Sequence, residues 1–339
     1  MFKTQNIIFA AALLMFASSC KLTDREPSMV SIRGMVFGTY YTVTYYEENG
    51  IVYQQEIDSI FADFNSSLSF YDRQSLLSRI NKNETTVVDD YFEVVFSRAR
   101  EISSETGGAF DVTVFPLVDA WGFGVSFREE VTQGELDSIL EFVGYEKIRL
   151  EDGHIVKEDE RVQVDFNAIA KGYAADIICD YLMSAGAYSC LVEIGGDLAT
   201  RGLKPDGTAW RIGLEVPAEH SDSPQEWDFF VEIRDTGLAT SGDYRRYYEV
   251  DGKRYSHTID PETGYPVEHN MLSASVFAGD GLSADAYATA LMAMGPDRAI
   301  EFVESREDLE AYLILAGDDQ DEFTFYASTG LELKTREDL

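Results

Sequence analysis

The chain has 339 residues and is 45% hydrophobic, enough for a large core, and its length fits two domains or one larger unit. Its 61 acidic residues outweigh 27 basic ones for a formal net charge of −34. This balance excludes a nucleic-acid binder, which needs Lys and Arg to neutralise phosphates. It also repels anionic ligands, so a phosphate-bearing substrate needs a cation or a local Lys to bring it in.

The first segment reads as a processing signal. Lys3 gives a weakly positive start, and Ile7 to Ala17 is an apolar run too short to span a bilayer. Ala17-Ser18-Ser19-Cys20 resembles a bacterial lipobox, although Ala17 stands where Leu is usual. The similarity implies lipidation of Cys20, with residues 1–19 as the signal peptide, 20–30 as a polar tether and 31–339 as the folded domain. Ordinary secretory cleavage nearby is the alternative.

Ile32 to Tyr46 is rich in β-branched and aromatic residues and predicts strand, turn at Gly38, strand. Glu56 to Phe64 predicts an amphipathic helix, followed by a polar loop carrying Tyr71 and a segment from Leu76 to Asn81. Tyr71 is either a stacking surface or a loop anchor. Tyr91 to Thr106 has apolar residues at helical spacing and ends at Gly107-Gly108. The apolar run Ala109 to Val118, interrupted by Asp111 and closed by Pro116, suggests backbone placed beside something, and Trp121-Gly122-Phe123-Gly124 continues it as a loop. Thr132 and Glu135 form a capping box for a helix to Phe142. Lys147 to Leu150, His154 to Lys157 and Arg161 to Phe166 read as strands, with Asp152-Gly153 a hairpin turn.

Asn167 to Ala185 predicts a helix ended by Gly186, then a buried strand, Ser189 to Ile194, and a tight turn at Gly195-Gly196-Asp197. Strands follow at Trp210 to Val216 and Phe229 to Arg234, with a hairpin of Tyr244 to Val250 and Lys253 to Ile259 around Asp251-Gly252. Asp260 to Pro266 is a dense turn. Leu272 to Ala278 is a strand feeding a helix for which Ser283 is an N-cap candidate. Pro296 opens another helix, and strands at Leu309 to Ala316 and Glu322 to Ser328 close the chain. Strands and helices mix without regular βαβ alternation, which gives an α+β fold rather than a doubly wound sheet. Cys179 and Cys190 could pair if helix and strand approach closely, though buried free thiols are the simpler reading.

Three places combine polar groups with tight backbone. Asp285 and Thr289, four apart on one helix, could share a hard cation through oxygen ligands. Equally, Asp285 could answer the helix dipole and Thr289 bond back to its own helix. Asp165 and Lys171 flank the start of a helix, where free N–H groups and an ammonium suit phosphate oxygens; a cap and a solvated Lys are the alternative. His257 stands at a strand end before the rigid turn, as a general base or a loop anchor. The lack of a second His at these places argues against zinc.

In this order the motifs resemble the ApbE family of FAD:protein FMN transferases, often exported lipoproteins. They are Gly34 to Thr39; Gly108 to Val114; Pro116 to Val118 with Trp121 to Gly124; Asp165 to Gly172; Ile194 to Asp197; Ser241 to Tyr244; His257 to Pro266; and Ala284 to Thr289. The resemblance implies a single compact mixed α/β catalytic unit. It also implies Mg²⁺-dependent cleavage of the FAD pyrophosphate, transfer of FMN to a Thr or Ser hydroxyl of an acceptor protein, and release of AMP. By the same similarity Asp285, Thr289 and the carbonyl of Ala168 hold the metal. FAD as substrate contacts Met35, Tyr71, Ala109, Phe110, Asp111, Asp165, Lys171 and Ile259, with Tyr71 and Phe110 offering flat surfaces. His257 resembles the base for the acceptor hydroxyl.

Ser256 stands where many members carry another His, Phe166-Asn167 replaces Leu-Gly, and Phe115 replaces Gly. The family's acceptor motif is absent from this chain, so the expected acceptor is another exported protein. The expected location is the bacterial cell envelope, facing the periplasm on a lipid anchor. A FAD pyrophosphatase and a non-catalytic FAD-binding lipoprotein are the alternatives.

Overall fold

Strand alternation builds the first hairpin. β1 (Ser28–Val36) and β2 (Thr39–Glu47) pair antiparallel, with Val30, Ile32, Tyr41, Val43 and Tyr45 turned inward. Their turn at Phe37 and Gly38 has φ of 51° and 77°, the primed geometry that matches strand twist. The computed structural model describes residues 26–123, 131–215, 227–242, 247–250, 253–256, 258–317 and 323–338.

After the hairpin come the helices α1 (Gln54–Leu68), α2 (Leu76–Asn81), α3 (Asp90–Glu105), α4 (Phe115–Ala120) and α5 (Gln133–Leu140). The hairpin β3 (Ile148–Glu151) and β4 (His154–Lys157) follows, then α6 (Ala170–Ser184), β5 (Ser189–Ile194), β6 (Asp197–Arg201), β7 (Trp210–Glu215), β8 (Trp227–Ile233) and β9 (Gly237–Gly242). The chain continues through β10 (Tyr247–Val250), β11 (Lys253–Ser256), β12 (Met271–Ala278), α7 (Gly281–Met294), α8 (Pro296–Glu304), β13 (Glu310–Ala316), β14 (Phe323–Ala327) and β15 (Lys334–Thr335).

The central sheet runs β1-β2-β5-β6-β9-β12-β13-β14, and every pairing in it is antiparallel. The α+β expectation therefore holds. Successive residues point to opposite layers: Ala199, Ala239 and Val276 meet the helices, whereas Leu198, Leu238 and Phe277 meet the small sheet β15-β8-β7.

Several boundaries differ from the sequence reading. α6 begins at Ala170, because Asn167–Ile169 is a turn, and Arg161 to Phe166 is not a strand. Pro116 opens α4 instead of closing an apolar run. α7 begins at Gly281 with Asp280 as its N-cap, so Ser283 lies within the first turn. The capping box of Thr132 and Glu135 is present as expected. Cys179 and Cys190 are buried free thiols; the Cys179 S–H donates to the Ala199 carbonyl.

α6 and α7 lie side by side on the central sheet, and two glycines set their separation. A Cβ on Gly172 would meet the Gly281 carbonyl oxygen at 1.9 Å, and one on Gly281 would meet the Gly172 oxygen at 2.6 Å. On its far side α7 is held by Arg98, whose Nε donates to Ser283 Oγ at 3.0 Å, and by Tyr287, whose hydroxyl donates to Glu105 and accepts from Arg306. Gly172→Ala should force the helices apart and destabilise the fold by about 3 kcal/mol, near the top of the overpacking range. Urea denaturation checks this, and an unchanged midpoint would contradict the contact.

Candidate functional site

α6 and α7 cap each other. The first four N–H groups of a helix lack partners within it. In α7, Asp176 of α6 accepts from Gly281 and Leu282 at 3.0 and 2.9 Å, the Asp280 side chain takes Ser283, and the Asp280 carbonyl takes Ala284. In α6, Ala170 donates to the Phe166 carbonyl, and Gly172 donates to Oδ2 of Asp285 at 3.2 Å. The Lys171 amide also bonds Asp285. Each helix start thus takes a carboxylate from the other helix.

Asp285 lies in the second turn of α7 and is 4% exposed. The dipole of its own helix, which acts within the first turn, does not explain it. Burial pushes its carboxyl up, while the Lys171 charge and the two amides of α6 oppose that rise. Thr289, one turn on, shares a hydrogen bond with Ser241 of β9 at 3.1 Å. Asp285, Thr289 and the Ala168 carbonyl are hard oxygen donors of the kind that Mg²⁺ takes, and a carboxylate whose Oδ2 accepts the Gly172 amide retains lone pairs for a cation. The donor set therefore fits such an ion. Among the described residues no group of three or more His, Cys, Asp or Glu could hold a metal, so a site here needs neutral oxygens beside its carboxylate.

The Lys171 ammonium pairs with Asp197, which is 2% exposed at the start of β6. The other oxygen of Asp197 accepts from the Thr240 amide of β9 at 3.4 Å. The sequence reading marked the Gly195-Gly196-Asp197 turn but missed Asp197 as a partner of Lys171. It also missed Asp176 and Ser241. Asp197 and Ser241 each carry a signal, as the last and first residues of family motifs; Asp176 carries none.

Asp165 accepts from the Asn167 amide and side chain at 2.8 and 3.1 Å, closing the turn before α6 rather than capping the helix. Burial pushes its carboxyl up to about 6. Its own amide donates to Val112, tying this turn to the loop that holds Ala109, Phe110 and Asp111. Asp111 is a clamp: it accepts from the Thr113 amide and hydroxyl and from the Tyr145 amide, all at 2.7 Å, and burial pushes its carboxyl up. The Phe110 ring is packed in the core at 2% exposure, so of the two expected stacking surfaces only Tyr71, 76% exposed, presents a free face. Met35 is 73% exposed at the end of β1.

Ile259 is buried and bridges to Pro266 across the Asp260 to Pro266 turn. Trp121 anchors that turn by donating to the Gly264 carbonyl at 2.7 Å. His257 and Cys20 lie outside the described residues. The structure thus brings Lys171 and Asp285 together and links Asp165 to the Asp111 loop. No hydrogen bond or ion pair among the described residues joins Met35 or Tyr71 to the Lys171 group.

Asp176 gives a pH test of the mutual capping. Burial pushes its carboxyl up to about 6 from an ordinary 3.8, against the two amides of α7 and Arg201. An acid held above its unfolded value keeps its proton longer in the folded state, so the stability it adds is present in acid and lost as pH rises through about 6. Asn cannot ionise. The stability of Asp176→Asn relative to wild type should therefore improve by about 2 kcal/mol between roughly pH 4 and roughly pH 7, measured by parallel urea denaturation. A difference independent of pH would count against this assignment.

The ApbE family profile matches residues 37–313. A FAD:protein FMN transferase of Vibrio cholerae serotype O1 is 36% identical over 337 residues, covering 97% of this chain and 98% of that protein. One of Haemophilus influenzae is 35% identical, covering 92% of each. The solved flavin transferase ApbE of Vibrio cholerae superposes with a TM-score of 0.78 at 37% identity, covering 89% of this chain and 98% of that one. The apo flavinyl transferase ApbE of Pseudomonas stutzeri gives 0.79 at 32% identity, covering 90% and 96%. Matched in sequence and fold along most of its length, the chain belongs to the ApbE family.

Proposed function

We propose that this chain is a Mg²⁺-dependent FAD:protein FMN transferase acting on an exported acceptor protein. The observation that carries the reading is the Lys171 ammonium at the start of α6, whose charge acts on the buried Asp285 of α7 that bonds the neighbouring Gly172 amide, in a chain of net charge −34. The amides of this helix start are taken, so the ammonium and a cation held by Asp285 are what would receive an anionic diphosphate here. Three relatives named FAD:protein FMN transferase, each at least 33% identical over at least 91% of both chains, support the same reading.

In this reaction the acceptor Thr or Ser oxygen forms a bond to the FMN-side phosphorus. The bond from that phosphorus to the bridging oxygen breaks, and AMP leaves with the bridging oxygen. His257 takes the hydroxyl proton as general base. Lys171 orients the diphosphate and offsets its charge. Asp285, Thr289 and the Ala168 carbonyl would hold Mg²⁺, which when bound supplies charge neutralisation at the pyrophosphate. Tyr71 offers its exposed ring to a flavin or adenine plane.

The test combines purified protein, FAD and Mg²⁺ with an exported protein carrying a Thr flavinylation motif, following AMP release and acceptor mass. Transfer raises the acceptor mass by one FMN unit. AMP with free FMN would replace this reading by hydrolysis, and bound FAD with neither product would remove catalysis altogether. Asp285→Ala should lower turnover by about a hundredfold or more, and His257→Ala should slow transfer while FAD stays bound. Full activity in Asp285→Ala would refute its role.

We further propose that Cys20 is lipidated and anchors the enzyme to the bacterial envelope, facing the periplasm. The lipobox-like Ala17-Ser18-Ser19-Cys20 supports this. No helix among the described residues is long and apolar enough to cross a membrane. Cys20→Ser should move the protein from the membrane to the soluble fraction on cell fractionation; an unchanged distribution would contradict lipidation.

A further inference from the structure

Lys171 places one ammonium between two buried carboxylates. Its Nζ donates to Asp197, and its charge also acts on Asp285. The aspartate of this pair is the fixed partner. Asp197 follows Gly195 and Gly196, whose φ values of 60° and 97° hold the tight turn between β5 and β6. A Cβ on Gly195 would meet the Thr39 side chain at 2.8 Å, and the Thr240 amide of β9 holds the second carboxylate oxygen. Lys171 is the movable partner: its side chain is one-third exposed, on a flexible four-carbon stem.

Without Asp197, the same ammonium has Asp285 as its other buried carboxylate. Such a contact is strong in a desolvated setting. It would also occupy the only carboxylate of the proposed cation site, so Lys171 and a divalent ion would compete for one anion. We infer that Asp197 is a positioning residue that keeps the Lys171 ammonium off Asp285, leaving Asp285 open to a divalent cation while Lys171 stays at the helix start for the diphosphate. The inference rests on Asp285 being a metal ligand, as proposed above.

Mn²⁺ titrated into the purified full chain without FAD, with free Mn²⁺ followed by electron paramagnetic resonance, tests it independently of turnover. Wild type should bind and Asp285→Ala should not. Asp197→Asn should weaken binding by about tenfold or more, because the freed ammonium moves to Asp285. Adding Lys171→Met to Asp197→Asn removes the competitor and should restore affinity to within about threefold of wild type. Unchanged affinity in Asp197→Asn overturns the inference. So does a double variant as weak as the single one, which would make Asp197 a ligand itself. Absent binding in wild type, or normal binding in Asp285→Ala, would overturn the metal reading and this inference with it. Should Asp197→Asn not fold, the double variant, which removes both members of the Lys171–Asp197 ion pair, still decides: retained Mn²⁺ affinity supports the inference and its loss overturns it.

Discussion

The exchange of carboxylates between α6 and α7 is the constraint on which the rest of the site depends. Asp176 of α6 holds the first amides of α7, and Asp285 of α7 holds amides of α6. An orphaned buried N–H costs about 1–3 kcal/mol, so sliding either helix by one residue would forfeit several such terms at once. The exchange is possible only because Gly172 and Gly281 let the two backbones touch. Side chains at this crossing would hold the helices apart and leave both carboxylates short of their amides. Packing, capping and the location of Asp285 are therefore one structural decision.

That decision also sets the electrostatics. A chain with 61 acidic residues repels an anionic dinucleotide almost everywhere. At the start of α6 one ammonium faces two buried carboxylates, so the cluster by itself remains negative. A divalent cation would reverse its sign, which explains how a strongly acidic protein could accept a diphosphate at one place. Arg201 does not provide this charge, because it pairs with Asp176 and Asp180.

What the sequence made legible was local. The Gly38 turn, the Thr132 capping box and the Asp152-Gly153 hairpin each depend on residues a few positions apart, and each formed as read. β6 and β9 escaped notice because they lie inside the sheet, where Leu198, Ala199 and Thr200 are buried in succession and no alternation marks them. The starts of α6 and α7 were misplaced because part of their capping is tertiary: the Gly172 amide finds its acceptor 113 residues away. Asp285 and Thr289 are visible as a spacing, but that spacing alone favours a plain helix start over a cation pair. The structure adds a contact that neither reading held, the bond from the Gly172 amide to the buried Asp285, and such a tertiary contact has no local signature.

β9 explains why the two halves of the site should respond together. Its Thr240 amide holds Asp197, the partner of Lys171, and the next residue, Ser241, holds Thr289. Successive residues of a strand point to opposite sides, so one short segment reaches the ammonium through its backbone and the α7 hydroxyl through a side chain. The Thr240 hydroxyl shares a hydrogen bond with Ser275 of β12 at 2.7 Å, which fixes the segment against the next strand. A shift of β9 along its neighbours would therefore displace Asp197 and Thr289 in the same direction. The ammonium and the α7 oxygens are held to a common strand, and their separation is set by the rigid sheet rather than by either helix alone.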